Sequence, residues 1–132
     1  MPGCVLRASG QQFEPQRFLD DSPFVPCNVF RKGERKAHNH SWTTSGFTVV
    51  VSEASGDDLP RQVQDAYEFL GVHSEEVIRL MRFKGLDAVD LDFGLNRKIG
   101  FMQSSYLPPE LLTLAGELRV GITISIYGED ES

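Results

Sequence analysis

Apolar and polar positions alternate along several stretches of the chain. Val89, Leu91, Phe93 and Leu95 are separated by Asp90, Asp92 and Gly94, and Ile122, Ile124 and Ile126 alternate with Thr123, Ser125 and Tyr127. Successive side chains of a strand point to opposite faces, so each stretch predicts a strand with one buried and one wet face. The β-branched and aromatic run Phe47–Val51 predicts another strand, and the partial alternation of residues 4–9, CVLRAS, a first one. Residues 101–107 read as a further strand.

Helical spacing takes over between these segments. Leu59, Val63, Ala66, Tyr67 and Leu70 fall on one stripe, with Asp57 or Asp58 as the cap, Pro60 in the first turn and Gly71 at the end. Ser74 reads as the cap of a second helix, with Glu75 and Glu76 at its positive end and Val77, Ile78, Leu80, Met81 and Phe83 as its apolar side. Gly85 closes it. Pro108-Pro109 open a helix whose core side is Leu111, Leu112, Leu114, Ala115 and Leu118. A short helix, QRFLDD, follows Pro15 and stops before Ser22-Pro23, because a residue preceding proline avoids the α region. Residues 23–46 are a long connection in which VFRK can pair briefly. The order β-α-β-α-α-β-β-α-β predicts an α+β fold: a single-domain sandwich of a mixed β-sheet with helices packed on one face. Its core spans about 4–127, and 128–132 form an acidic tail.

Composition narrows the function classes. A chain of 132 residues, 40% of them hydrophobic and nine of them Phe, suits one globular domain. Thirteen Lys and Arg against nineteen Asp and Glu leave a net charge of −6, which opposes general binding to nucleic acid phosphates. No run of apolar residues is long enough for a membrane span, and MPGCVLRASG lacks the features of a signal peptide. Cys4 and Cys27 have no CxxC spacing and read as thiols in a reducing cytoplasm. The expectation is a cytoplasmic protein without a cofactor.

Three groups of residues invite chemistry. The stretch RKGERKAHNHSW, residues 31–42, gathers Arg31, Lys32, Arg35 and Lys36 around Gly33, together with His38, His40 and the single Trp42. The basic residues suit an anion or a recognition loop, but the phosphate-loop spacing is missing, so a solvated turn is the simpler reading. His38 and His40 would share one side of an extended segment and make weak metal candidates, since a catalytic zinc site needs a third protein ligand that no spacing supplies. Trp42 reads as a packing anchor. Asp90 and Asp92, with Asp87 just before them, could coordinate Mg²⁺ or share a proton, but a wet strand face or the protection of a sheet edge is the simpler reading, and the acidic face also suits recognition of a basic partner. No G-x-S-x-G elbow is present, and no catalytic constellation emerges, so the chain reads as a non-enzyme.

An early strand followed by FEPQRFLDD, the FRKGE stretch, and SSYLPPELLTLAGELRVGITISIYG ending beyond Tyr127 together resemble the bacterial family called domain of unknown function 4279. The likeness covers most of residues 5–127, and HNHSW departs from it. The resemblance implies a small cytoplasmic protein with no activity to carry over. Several members are similar to immunity proteins of polymorphic toxin systems, which bind and block a toxin. The expected function is therefore a non-enzymatic protein-binding module, an immunity-type inhibitor of a basic toxin. Its expected contacts are Asp87, Asp90 and Asp92, with Glu129 and Asp130. Two alternatives stay open: a small-ligand or anion sensor using the basic loop, and a metal-dependent enzyme using His38 and His40.

Overall fold

The computed structural model describes residues 3–36 and 40–128, with Lys36 described in its main chain only. Strand β1 (Cys4–Gly10) is the middle of a five-stranded sheet, flanked by β5 (Ser45–Ser52) and β6 (Ala88–Asn96), both antiparallel to it. β2 (Asn28–Phe30) pairs antiparallel with β5, and β7 (Gly121–Tyr127) pairs parallel with β6, giving the order β2-β5-β1-β6-β7. A parallel neighbour needs a crossover, and the connection 97–108 with helix α4 (Pro109–Glu117) supplies it. Helices α1 (Pro15–Leu19), α2 (Leu59–Val72), α3 (Ser74–Met81) and α4 cover one face of the sheet. The mixed sheet with helices on one face is the predicted α+β architecture.

The alternation decides which face is covered. Cys4, Leu6 and Ala8 of β1, Phe47 and Val49 of β5, and Val89, Leu91 and Phe93 of β6 form one apolar cluster with Phe18, Val63, Ala66, Leu70, Val77, Leu80, Leu111 and Ala115 from the helices. Within it Phe18 stacks on Phe47 at 5.7 Å and meets Phe83 edge-on at 5.3 Å, both favoured aromatic geometries. The Arg79 guanidinium lies 4.0 Å from the Phe18 ring centroid and donates to the Phe18 carbonyl at 3.0 Å, tying α3 to α1. Gly46 is required by close approach: a Cβ there would overlap the Ala8 carbonyl and press on the Phe30 ring.

Several expectations change in detail. Asp58 caps α2 by accepting from the Arg61 amide at 3.2 Å, but Ser74 is the first residue of α3, and His73 occupies the cap position without a side-chain bond. Tyr67, Ile78 and Leu112 are 45%, 39% and 46% exposed, so the apolar stripes are narrower than the spacing suggested. Gln62, which no hydrophobic pattern selects, is fully buried in α2. The predicted strand at 101–107 is irregular chain. Its residues Met102-Gln103-Ser104-Ser105 do not alternate, and the place beside β6 is taken by the alternating β-branched residues of β7. The 23–46 connection contains β2 and a small two-stranded ribbon of β3 (Arg35–Lys36) and β4 (His40–Ser41).

Candidate functional site

The uncovered face of the sheet carries the acidic strand. Asp90 and Asp92 point away from the helices and meet Arg7, which the antiparallel β1–β6 register sets opposite Asp90. Arg7 Nη2 donates to Asp92 Oδ2 at 2.9 Å and Nη1 to Asp90 Oδ2 at 3.4 Å. From β7, Thr123 Oγ1 donates to Asp90 Oδ2 at 2.8 Å and Ser125 Oγ to Asp92 Oδ1 at 2.7 Å. One cation and two hydroxyls thus serve two carboxylates, so about half of their acceptor capacity is committed inside the protein. Asp87 accepts from the Gln11 amide at 2.9 Å and holds the turn after β1. Neither role is edge protection, because β6 has a neighbour on both sides. A hollow of about 360 Å³ adjoins Asp92, lined also by Arg7, Ser52, Glu53 and Tyr127. The Cys4 thiol borders it, but burial and then the nearby Asp92 and Asp90 carboxylates push its pKa far up, which suppresses the thiolate a nucleophile needs. Glu129 and Asp130 lie outside the described residues.

The basic stretch forms the β3–β4 ribbon and its approach. Gly33 has φ +90°, and the turn from Arg31 to Glu34 closes through the Glu34 amide donating to the Arg31 carbonyl at 3.0 Å. The Glu34 carboxylate accepts from the Arg31 amide at 3.1 Å, and the Ser45 hydroxyl accepts from the Lys32 amide at 2.9 Å. Main-chain donors that an anion would seek are therefore already occupied. Arg31, Lys32 and Arg35 are exposed. Trp42 stacks on Phe30 with centroids 4.1 Å apart and planes 21° from parallel, the packing role its size suggested. His40 is exposed on β4, His38 lies outside the described residues, and the His73 ring rests against Phe24 and Phe69. Among the described residues no three His, Cys, Asp or Glu side chains are grouped as a metal ion would need.

A larger concavity than the hollow beside Asp92 lies elsewhere. A cleft of about 690 Å³ opens between the start of α2, the end of β6 and the connection 97–108. Leu59, Val63 and Leu95 give it an apolar floor, and Met102 lines its loop side. The base of the loop is laced to the fold: the Arg97 amide donates to the Tyr127 carbonyl at 2.9 Å, the Lys98 amide to Gln103 Oε1 at 3.0 Å, and Gln103 Nε2 to the Asn96 carbonyl at 3.0 Å. Lys98 Nζ reaches Asp57 Oδ1 at 2.6 Å, and Asn96 Nδ2 donates to the same oxygen at 3.1 Å. These hydrogen bonds, Lys98 first, hold the Asp57 carboxyl below its ordinary range. Beyond the anchored base, Ile99 and Phe101 stand 98% and 102% exposed, and Met102 and Tyr106 each 73%. Four large apolar side chains in one loop, held out from an ordered base, are a concentration of apolar surface that single scattered exposures do not produce.

Hydrophobic periodicity passed over two parts of these surfaces. Arg7 is a lone charge in CVLRAS, and its partners lie more than eighty residues further on, so only the strand order brings them together. The apolar residues of 101–107 resembled a strand and signalled their exposure only once the sheet closed without them. No helix among the described residues is long and apolar enough to cross a membrane. No protein-family model, curated protein or solved structure matches the chain.

Proposed function

We propose that this chain is a non-enzymatic protein-binding module, an immunity-type inhibitor of a bacterial toxin, and that its principal contact is the 97–108 loop with the cleft behind it. The observation that carries the reading is the group Ile99, Phe101, Met102 and Tyr106, exposed to water on an anchored loop whose Met102 and Tyr106 line an apolar cleft. Such a group resembles the aromatic and methionine anchors that dominate binding energy at interfaces. The toxin as partner rests on the resemblance of FRKGE and the C-terminal segment to a family that includes immunity-like proteins. The net charge of −6 favours a basic partner by accelerating encounter, with the apolar loop supplying the contact energy. Asp90 and Asp92 have a supporting part, since Arg7 and two hydroxyls already engage them.

The test is affinity capture from the native host with the wild-type chain and with a Phe101→Ser/Met102→Ser variant, followed by co-expression with the captured protein. A stoichiometric partner that is toxic alone, neutralised by the wild type and released by the variant, is the expected result. A partner held equally by both proteins would remove the loop from the interface, and a partner without toxicity would remove the immunity role. A second reading, a small-ligand sensor, is favoured by the Ser104, Ser105 and Tyr106 hydroxyls, which line the same cleft without an internal hydrogen bond. A rise in melting temperature with a small amphipathic ligand, abolished by filling the cleft with Val63→Trp, would favour it over the protein partner.

A further inference from the structure

The two edges of the sheet are built differently. β2 is three residues long, the short edge that proteins use against unwanted pairing. β7 is seven residues long, GITISIY, with no charge, no proline and no break in its register with β6. Among the described residues no strand lies beyond it. Long, uncharged, β-branched edges are the kind that recruit another strand.

The hydrogen-bonding phase of that edge follows from one contact. The Tyr127 carbonyl accepts from the Arg97 amide, so the main-chain groups of Tyr127 face β6. Along a regular strand these directions alternate, which turns Ser125 and Thr123 toward β6 as well and Ile122, Ile124 and Ile126 outward. No hydrogen bond outside the β6–β7 ladder engages those three residues.

We propose that a second copy of this chain pairs with β7, antiparallel, about a two-fold axis at Ile124, to make one continuous sheet across a homodimer. The segment is self-complementary in this register. Ile124 faces its own copy, Ile122 faces Ile126, Thr123 faces Ser125, and Gly121 faces Tyr127. The outward N–H and C=O groups of Ile122, Ile124 and Ile126 are then all used, in six cross-strand hydrogen bonds. The axis is perpendicular to the sheet, so the helices of both copies stay on one side and the isoleucines form a row across the junction. On the other side Thr123 and Ser125 make the hydroxyl pair that antiparallel neighbours favour. No like charges meet, because β7 carries none and the carboxylates of β6 are held by Arg7. A one-residue slip would set inward-facing main-chain groups against outward ones and leave the edge unpaired, and a two-residue slip would leave one outward isoleucine of each copy without a partner, so this register alone uses the whole edge.

Sedimentation of the full chain under reducing conditions, from low micromolar to near-millimolar concentration, tests the pairing together with amide hydrogen exchange. The expected result is a monomer–dimer equilibrium in which the Ile122, Ile124 and Ile126 amides become protected as the dimer forms, while those of Thr123, Ser125 and Tyr127 are protected throughout. Ile124→Pro removes an outward donor that the monomer does not use. It should retain the monomer fold by circular dichroism and weaken association by roughly tenfold or more, through the two central hydrogen bonds. Ile126→Lys, at a position 53% exposed, provides a second folded variant with the same expected loss. A monomer at every concentration, or a dimer in which the three isoleucine amides still exchange freely, would overturn the proposal.

Discussion

Replacing Arg7 by Met tests whether the acidic strand is structural or free for a partner. The Arg7 side chain is 33% exposed, and those of its partners Asp90 and Asp92 are 24% and 11% exposed. Fully exposed ion pairs contribute about 0–1 kcal/mol. The closer pair here combines a 2.9 Å separation with a nearly buried carboxylate, whose second oxygen is fixed by Ser125. At an effective dielectric constant near 20, two unit charges about 4 Å apart attract by roughly 4 kcal/mol before desolvation and side-chain entropy are subtracted. A net coupling of about 1–2 kcal/mol between Arg7 and Asp92 remains, between the exposed and the fully buried regimes. The single change Arg7→Met should cost about 2–3 kcal/mol, because it also leaves two carboxylates facing each other on one strand face without their cation. A double-mutant cycle of Arg7→Met and Asp92→Asn, measured by urea unfolding with far-ultraviolet circular dichroism, reads the coupling directly. Asparagine keeps an acceptor for Ser125 while removing the charge. A coupling below about 0.5 kcal/mol would refute the reasoning, since the pair would then behave as an exposed one and the carboxylates would be available to a partner after all.

Two further outcomes follow from a buried and a partly buried polar group. Gln62 Nε2 serves the Ala54, Ser55 and Gly94 carbonyls at 3.4, 3.1 and 2.9 Å, whereas its Oε1 has no partner. Gln62→Leu should therefore destabilise by about 1–3 kcal/mol in thermal or urea unfolding, as the loss of a shared donor outweighs the relief of one unpaired oxygen. For Glu76, burial raises the pKa, but hydrogen bonds from Arg79 and Ser22 and the Arg79 charge outweigh it and lower the value below the ordinary 4.5. A lowered carboxylate pKa stabilises the folded state above the unfolded value, and that stability is lost as pH falls through the folded one. The melting-temperature gap between wild type and Glu76→Gln should accordingly be full near neutrality and close in acid well below 4.5.

Local pattern reached a long way into this protein. The alternation of β6 and β7, the β-branched run of β5 and the stripe of α2 are each properties of a few neighbouring residues, so they are legible without a partner. The same alternation already placed Asp90 and Asp92 on a wet face, and the bulk of Trp42 marked it as a packing anchor. Which strands become neighbours is not a local property. Asp90 and Asp92 read as an open acidic surface until β1 lay beside β6 and brought Arg7 to them. Residues 101–107 read as a strand until β7, with its stricter alternation, took the edge of the sheet and left Phe101 in water. Gln62 looked like a polar position on a helix until the carbonyls of Ala54, Ser55 and Gly94 converged on it. The sequence by itself determined the long helices and strands and the main apolar side of each, because those depend on residue type and spacing. Only the tertiary structure decided strand order, the pairing of distant charges and which apolar groups stay uncovered, because those depend on what the rest of the chain brings alongside.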